Sequence, residues 1–324
     1  MNNFFLDFEK PLVELQQKID ELQTLSADNK LDVSDEVRSL TQRLEKMRKK
    51  IHSSLTPWQR VQLARHPQRP HALDFIEQLF TDYLEFSGDR RFQDDKAVVG
   101  GFAKFNGDPV MVIGTQKGRD MKENMMRNFG WPNPEGYRKA LRLMRLADKA
   151  GTPIITFIDT PGAFPGVTSE ERHIAEAIAV NLRDMFALSV PVICVIIGEG
   201  GSGGALGIGV GNRLLIMENA YYSVITPEGC AAILWKDRKF APQAAEALNL
   251  TAGKLLELKV ADEIVLEPVG GAHSAPEKAI TEVGKAIARN LKQLKKLDGE
   301  TLKKQRYDKF RVIGTFLESS STEA

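Results

Sequence analysis

Apolar positions follow helical spacing near the start of the chain and charged residues separate them. The turn-like segment 26–29 divides this region into two amphipathic runs. The apolar positions of these runs are Leu12, Leu15, Ile19 and Leu22, then Val37, Leu40, Leu44 and Met47. The pattern predicts an N-terminal helical hairpin over residues 1–60, which must pack on the rest of the chain or on another subunit to bury its apolar side.

The next part of the chain, up to residue 115, mixes helix, strand and turn signals. Two prolines predict a linker at 66–70, and a helix is expected over 73–86. Apolar runs at 97–105 and 109–115 flank Asn106-Gly107, a pair that tolerates positive φ at both positions. This combination predicts a β-hairpin.

From residue 134 onward, helical stretches alternate with short apolar runs, which is typical of βαβ units and a parallel sheet. The predicted helices are 134–150, 169–188, 202–209, 228–258 and 275–297, and the predicted strands are 153–158, 191–197 and 213–217. We therefore expect one α/β domain over residues 61–317, followed by a disordered tail at 318–324.

Composition narrows the function classes. Hydrophobic residues make up 42% of the chain and charged residues 27%, with a formal net charge of +1, so nothing attracts the whole chain to nucleic acid or anionic lipid. The two cysteines, Cys194 and Cys230, are far apart, and the five histidines show no ligand spacing, so we expect no metal in this chain. We see no signal peptide, and the longest apolar run, 190–197, is too short to cross a membrane. These features predict a cytoplasmic protein that binds no membrane.

Two glycine-rich segments, 159–166 and 198–207, each follow an apolar run. Ligands bind where parallel strands end and helices begin, because helix starts present unpaired amides. Glycine lets a substrate approach the backbone closely. The sequence therefore predicts a site that holds negative charge with backbone N–H groups, and three chemistries fit it.

The first is dinucleotide binding. Gly198, Gly200 and Gly203 fit G-x-G-x-x-G. Glu218 follows about 20 residues later, where this motif has the acidic residue that binds the ribose. Against this reading, the helix that follows would be very rich in glycine.

The second chemistry is that of a serine hydrolase. Ser202 is the central residue of a G-x-S-x-G pattern, and Asp262 and His273 would complete a triad. This short pattern is easily matched by chance within a run of glycines.

The third chemistry is an oxyanion hole without a nucleophile. The Gly203 and Gly204 amides would stabilise a developing negative charge, which explains the many glycines and the lack of a histidine among them. Lys117 and Arg119 directly follow a predicted strand and are further candidates for binding a negatively charged substrate.

Several motifs resemble the alpha-subunit family of the bacterial multi-subunit acetyl-CoA carboxylase carboxyltransferase. The likeness covers nearly the whole chain in order, from the N-terminal Phe-Leu-Asp-Phe-Glu segment to beyond His273. The matching segments are 63–70, 116–119, 127–130, 134–140, 159–166, 198–206 and 225–230.

The resemblance implies a crotonase-like β-β-α superhelix fold and transfer of a carboxyl group from carboxybiotin to acetyl-CoA, giving malonyl-CoA. This reaction is the first committed step of fatty acid synthesis. By the matching motifs, Gly203 and Gly204 supply the oxyanion hole, and Gly162, Ala163, Gly201 and Ser202 line the same pocket.

The family also implies partners. The resemblance predicts an α2β2 heterotetramer with a beta subunit that holds acetyl-CoA and carries a structural zinc. Carboxybiotin arrives on a separate biotin carboxyl carrier protein, which a biotin carboxylase loads.

Overall fold

A computed structural model describes residues 4–29 and 33–314. Within these residues, eight strands form one mixed sheet in the order β1-β2-β3-β4-β5-β6-β8, and β7 pairs with the end of β5. The β1/β2 and β2/β3 pairs are antiparallel, and the others are parallel. The strands are β1 (Thr81–Glu85), β2 (Val98–Phe105), β3 (Asp108–Thr115), β4 (Ile154–Thr160), β5 (Val192–Gly201), β6 (Arg213–Met217), β7 (Tyr221–Ser223) and β8 (Glu263–Val265).

Helices precede, connect and follow these strands. In chain order they are α1 (Lys10–Asn29), α2 (Ser34–Ser53), α3 (Pro57–Ala64), α4 (Ala72–Leu79), α5 (Met121–Met126), α6 (Pro134–Lys149), α7 (Val167–Glu171), α8 (Ile174–Ala187), α9 (Ser202–Leu206), α10 (Pro227–Leu234), α11 (Ala241–Ala247), α12 (Ala252–Glu257), α13 (Pro276–Leu294) and α14 (Gly299–Arg311).

The core lies on both faces of the central strands. Every residue of β4 and β5 is buried, as expected for parallel strands covered on two sides. A Cβ on Gly100 would meet Leu143 of α6, whereas one on Gly114 would meet Ala72 of α4. Gly100 pairs with Ile113, and neighbouring strand residues point to opposite faces. Helices α4 and α6 therefore cover opposite faces of the sheet.

The predicted β-hairpin is confirmed. Strands β2 and β3 pair in continuous antiparallel register from Val98 with Thr115 to Phe105 with Asp108. Asn106 and Gly107 have φ values of 51° and 87°, the left-handed pair that a two-residue turn requires.

The helix predicted over 73–86 is wrong in its second half. Helix α4 ends at Leu79, and β1 continues as an edge strand paired with β2. A Cβ on Gly101 would overlap the Leu84 carbonyl, so the glycine of β2 permits the close approach of β1. Strand pairing here overrides a local pattern that also fits a helix.

The N-terminal hairpin has the predicted apolar side, but its turn is misplaced. Residues 26–29 belong to α1 and α2 begins at Ser34, so the predicted turn is helical and residues 30–32 lie outside the described residues. Leu12, Leu15, Ile19 and Leu44 form the buried seam of the hairpin. A second cluster, Leu6, Leu55 and Leu63, joins this region to the body.

Further boundaries differ from the predictions. The helix expected over 169–188 is interrupted at His173, whose φ is 64°, and the region 228–258 forms three short helices. The glycine-rich helix ends at Leu206. The sequence patterns missed α3, α5, α14, β1, β7 and β8. The division at residue 60 stays a prediction, and the tail at 318–324 lies outside the described residues.

The linker predicted at 66–70 is an anchored connection in which His66, Arg69 and Pro70 are buried. Arg69 is 1% exposed, forms an ion pair with buried Glu267 and donates to the Ile197 carbonyl at 2.6 Å. Burial alone would raise the pKa of Glu267, but the Arg69 charge outweighs it and the pKa is lowered. Among the described helices, none has the length and apolar character needed to span a bilayer.

Candidate functional site

A cavity of about 300 Å³ lies where β4 and β5 end. It brings together residues from the two glycine-rich segments, with Gly162 and Ala163 on one side and Ser202, Gly203 and Gly204 on the other. The remaining lining residues are Trp131, Pro161, Ile178, Val224, Ile225 and Thr226. Gly201 does not line the cavity; it is buried at the end of β5.

The two glycine-rich segments meet backbone against backbone. A Cβ on Gly204 would lie 2.7 Å from Gly162 Cα, and one on Gly201 would lie 2.9 Å from the Thr160 carbonyl oxygen. Real side chains do not tolerate such distances, so glycine is required at both positions. By contrast, a Cβ on Gly203 would meet only Ile178 atoms, at 3.7 Å. Gly204 therefore holds the two segments together, and Gly203 has room.

The amino end of α9 lies at this cavity. Gly201, the residue before α9, offers no side-chain cap, and the first amides of a helix have no partners within it. Ser202 begins the helix with φ 52°, an uncommon conformation for a serine. Behind the helix, Tyr137 Oη donates to the Gly204 carbonyl at 3.1 Å and Asn181 Nδ2 to the Gly207 carbonyl at 2.9 Å. The structure thus fixes α9 through its carbonyl groups while its first residues line the cavity.

Trp131 reaches the cavity on a loop that Asp95 anchors. Buried Asp95 accepts hydrogen bonds from the Ala97 amide at 2.9 Å and the Asn133 amide at 2.6 Å. Burial raises the pKa of Asp95 to about 6. A Cβ on Gly162 would touch the Trp131 ring at 3.0 Å, so this ring closes over the loop that follows β4.

Lys117 lies next to this site but does not line the cavity. Its Nζ is 2.6 Å from Asp159 Oδ1 and 2.8 Å from Glu199 Oε1. Asp159 precedes the loop after β4 and Glu199 lies near the end of β5, so one ammonium group joins the two strand ends. Burial would lower the pKa of Lys117, but the charges of Asp159 and Glu199 outweigh it and raise the pKa.

Glu199 is the centre of a wider buried network. Its other oxygen accepts from Arg65 Nε at 2.7 Å and from Tyr221 Oη at 2.6 Å, and Arg65 also pairs with Glu228 of α10. Burial would raise the pKa of Glu199, but the charges of Lys117 and Arg65 outweigh it and hold the pKa at about 2. Glu199 is therefore a permanent anion of the scaffold.

Arg119 also points away from the cavity. It donates to the carbonyls of Pro67 at 3.0 Å and Arg69 at 2.9 Å, and it pairs with Asp74. These contacts hold the segment 66–70 in place. The structure gives Lys117 and Arg119 structural partners, and their predicted contacts with substrate stay a prediction.

Three basic residues of α6 have partners within the protein. Lys139 is fully buried and pairs with Asp94 at 2.7 Å, and Arg138 pairs with Asp89 at 2.7 Å. Arg142 donates to the Gly88 carbonyl at 2.9 Å. All three side chains therefore bind groups of the protein itself.

The geometry of the described residues supports neither dinucleotide binding nor a serine hydrolase. Gly198 and Gly200 belong to β5, and Gly200 pairs with Thr160 of β4 and Tyr222 of β7, so they form no phosphate-binding turn. No histidine or carboxylate is among the described residues that line the cavity with Ser202. His273 stacks on His66 at 3.8 Å, and Asp262 accepts from the Leu214 amide and pairs with Lys309. Within residues 4–29 and 33–314, the cavity therefore provides no base for Ser202.

Sequence reasoning missed the cavity roles of Trp131, Ile178 and the segment 224–226. Thr226 caps α10 by accepting from the Gly229 amide at 3.1 Å, which explains the Thr-Pro pair there. A capping threonine followed by proline in the sequence could have predicted the start of α10. The position of this start beside β5 could not be predicted, because it depends on long-range strand pairing.

Similar solved structures are carboxyltransferases and related enzymes. Transcarboxylase 12S with methylmalonyl-CoA bound matches with a TM-score of 0.56 and 17% identity, over 82% of this chain and 47% of that chain. The chain thus spans about half of that protein. A Pseudomonas malonate decarboxylase hetero-tetramer in complex with coenzyme A matches with a TM-score of 0.54 and 17% identity, over 67% and 86% of the chains. The predicted crotonase-like α/β fold is confirmed.

Sequence comparison identifies the family to which the chain belongs. The family model described as "Acetyl co-enzyme A carboxylase carboxyltransferase-like" matches residues 5–314. The acetyl-coenzyme A carboxylase carboxyl transferase subunit alpha of a Geobacillus species is 58% identical over 96% of both chains. Its counterpart in Thermus thermophilus is 56% identical over 97% of this chain and 99% of that protein. The chain therefore belongs to the alpha-subunit family of acetyl-CoA carboxylase carboxyltransferases.

Proposed function

We propose that the cavity at the ends of β4 and β5 is the half-site that receives carboxybiotin, with Gly203 and Gly204 as its oxyanion hole. The chain is a biotin-dependent carboxyltransferase subunit that acts on acetyl-CoA and gives malonyl-CoA. The observation that supports the proposed site is the meeting of Gly162–Ala163 with Ser202–Gly204 in one cavity.

The lining fits a neutral ring that carries a carbonyl oxygen. Apolar side chains of Trp131, Ile178 and Val224 surround the cavity, and no carboxylate is among its described lining residues. When bound, carboxybiotin supplies the carboxyl group and a ureido oxygen on which negative charge develops. The backbone amides of Gly203 and Gly204 donate to that oxygen, an interaction worth about 2.7–4 kcal/mol per donor.

Lys117 acts indirectly in this proposal. By joining Asp159 to Glu199, it fixes the spacing between the two strand ends that carry the glycine-rich segments. Holding donors at a set position before the charge develops is what makes such a site effective. We therefore assign Lys117 a positioning role.

A second chain completes the site. The family name implies a multi-subunit enzyme, and we propose an α2β2 complex with a beta subunit that holds acetyl-CoA and carries the zinc. The carboxyl group arrives on a biotin carboxyl carrier protein loaded by a biotin carboxylase. Val224, which lines the cavity, is 79% exposed, and the apolar side chains of Ile233, Leu234 and Trp235 at the carboxyl end of α10 are also exposed. We propose that the beta subunit covers these side chains.

Ser202 distinguishes the carboxyltransferase from the hydrolase. The proposed mechanism requires the backbone amides next to Ser202 and makes no use of its hydroxyl group. Ser202→Ala should therefore keep carboxyl transfer within about tenfold of the parent. Loss of a triad serine would instead cost about 10⁶-fold in turnover. Because Ser202 has a φ of 52°, Ser202→Gly serves as a matched control without the left-handed strain.

The measurement is carboxyl transfer by each variant assembled with the beta subunit, together with fluorophosphonate labelling of the parent. We expect activity in both variants and no label. Stoichiometric labelling of Ser202 with abolished activity in both variants would replace the carboxyltransferase with a hydrolase.

A further inference from the structure

The cavity at the ends of β4 and β5 has one aromatic side chain among its described lining residues, that of Trp131. Trp131 is partly exposed, whereas core aromatic residues such as Phe75 and Phe157 are fully buried. A large apolar ring that stays open to water forgoes part of the free energy that its burial would supply. A ring that faces a cavity in this way is available to pack against a bound molecule.

Trp131 lies against the loop that supplies one side of the cavity. A Cβ on Gly162 would lie 3.0 Å from Cζ3, 3.5 Å from Cε3 and 3.8 Å from Cη2 of Trp131. All three atoms belong to the six-membered ring of the indole, so this ring packs on the Gly162 backbone. Ala163, the next residue, lines the same cavity. The Trp131 ring and the loop after β4 therefore form adjoining parts of the cavity wall.

The backbone that leads to Trp131 is strained. Asn128, Phe129 and Gly130 have φ values of 48°, 54° and 77°, so three successive residues adopt the left-handed conformation. A bulky residue such as Phe129 rarely does so. The Trp131 amide donates to the Asn128 carbonyl at 2.9 Å, which closes the turn. Strain of this kind persists only where the surroundings enforce it, and it clusters at functional sites.

Two contacts enforce the position of this turn. A Cβ on Gly130 would lie 2.6 Å from Lys117 Cγ, so the turn lies against the side chain whose ammonium group joins β4 to β5. After the turn, the Pro132 carbonyl accepts a hydrogen bond from the Phe164 amide at 2.9 Å. Trp131 is thus fixed on both sides before any substrate binds, and a side chain held in this way loses little entropy on binding.

We propose that Trp131 is a specificity-determining residue for carboxybiotin, with its rigid aromatic ring as the surface against which the fused rings of the substrate pack. This assignment rests on the proposed function of the cavity. Aromatic rings gain stacking energy beyond simple area burial. The side chains of Ile178 and Val224 also line the cavity, but they are aliphatic and offer no flat face. With the fused rings held on Trp131, the ureido oxygen faces the proposed donors Gly203 and Gly204.

The proposal implies an effect on binding and not on turnover. Contact between the Trp131 ring and the fused rings is the same in the ground state and in the transition state, because negative charge develops on the ureido oxygen and not on the ring face. Loss of such uniform binding raises KM and leaves kcat unchanged. By contrast, Gly203→Val disturbs a proposed donor and should lower kcat.

The test uses the full chain assembled with the beta subunit, and free biotin is the probe. Rates of carboxyl transfer from malonyl-CoA to biotin give KM for biotin and kcat. Trp131→Ala should raise KM by about tenfold or more, since it removes the ring face and its stacking. Trp131→Phe keeps a flat ring, so its KM should stay within about threefold of the parent. Neither variant should change kcat by more than about threefold.

Intrinsic fluorescence provides a signal that a purely structural role would not give. Titration of biotin into the assembled parent should change the tryptophan emission, and Trp131→Phe should remove this change. Trp58 belongs to α3 and lines a different cavity, so Trp58→Phe is the matched control. This control should keep both the emission change and the kinetics of the parent.

Two results would overturn the proposal. One is a KM for biotin in Trp131→Ala equal to that of the parent, and the other is an emission change that survives in Trp131→Phe. If Trp131→Ala does not assemble, the emission of the parent and of Trp131→Phe still decides the question. Gly203→Val separates this proposal from the function on which it rests. A loss of turnover in Gly203→Val with a parental KM in Trp131→Ala would remove only the role of Trp131, whereas normal turnover in Gly203→Val would displace the proposed site itself.

Discussion

At the scale of single residues, the neighbouring glycines of the cavity have different surroundings. Gly204 touches the Gly162–Ala163 backbone and has no space for a side chain, whereas Gly203 has ordinary contact distance to Ile178. The sequence predicted both as amide donors from their place after a strand. It could not distinguish them, because the contact of Gly204 depends on a segment about 40 residues away in the chain.

This difference predicts unequal effects of alanine at the two positions. Gly203→Ala should leave the free energy of unfolding within about 1 kcal/mol of the parent, because its Cβ has room and alanine favours helix. Gly204→Ala should lower it by about 1–3 kcal/mol, because the new Cβ forces the two segments apart. Denaturant unfolding of the purified chain measures both values. Equal stability of the two variants would contradict the close packing described for Gly204.

Gly203 also allows a test of turnover. Gly203→Val has space to fold and extends its methyl groups beside Ile178, into the lining of the cavity. It should fold normally and lose about 10²-fold in turnover if it displaces the substrate from one donor worth about 3 kcal/mol. Steady-state kinetics of the assembled enzyme provides the measurement. Normal turnover in a correctly assembled Gly203→Val enzyme would place the oxyanion hole elsewhere.

At the scale of secondary-structure elements, the ammonium group of Lys117 bridges the ends of β4 and β5. Lys117→Met would leave Asp159 and Glu199 buried without their shared cation. Breaking a buried pair in this way costs about 3–5 kcal/mol. Lys122 is an exposed residue of α5, so Lys122→Met is the control and should stay within about 0.5 kcal/mol of the parent. Chemical denaturation compares the two variants, and a similar small loss in both would refute the bridging role of Lys117.

Glu199 makes this bridge sensitive to acid. Its pKa is about 2 in the folded protein against an ordinary value of 4.5, so its contribution to stability is complete above about pH 4.5 and is lost as the pH falls towards 2. Lys117→Met removes one of the charges that hold this pKa down. The pKa of Glu199 should therefore rise, and carboxyl NMR signals of the variant should titrate at higher pH than those of the parent. An unchanged titration would mean that Arg65 alone sets this pKa.

Long, strongly patterned elements could be predicted from the sequence, and short ones could not. The β-hairpin at Asn106-Gly107 and β6 at Arg213–Met217 follow directly from turn chemistry and an apolar run. Strands β7 and β8 have only three residues each and depend on pairing with β5 and β6. The glycines of β5 were taken for a loop, because glycine is uncommon inside strands.

At the scale of the whole molecule, the described surface fits a protein that works with a second chain. Apolar side chains are exposed at Val224 in the cavity lining, at the carboxyl end of α10, and at Met121 and Met125 of α5. The described residues line a cavity with no acidic side chain and no histidine, lysine or arginine, and the proposed donors are backbone amides. The family implied a beta subunit, and composition alone contained no sign of it.

The most direct test of this account is a reconstitution. Carboxyl transfer between malonyl-CoA and free biotin is measured for the purified chain alone, for the beta subunit alone and for the two combined. The account predicts no detectable transfer by either chain alone and full transfer by the combination, since the proposed oxyanion hole and the proposed acetyl-CoA site belong to different chains. Full turnover by this chain alone would contradict the split site, and no turnover by a correctly assembled pair would contradict the carboxyltransferase assignment.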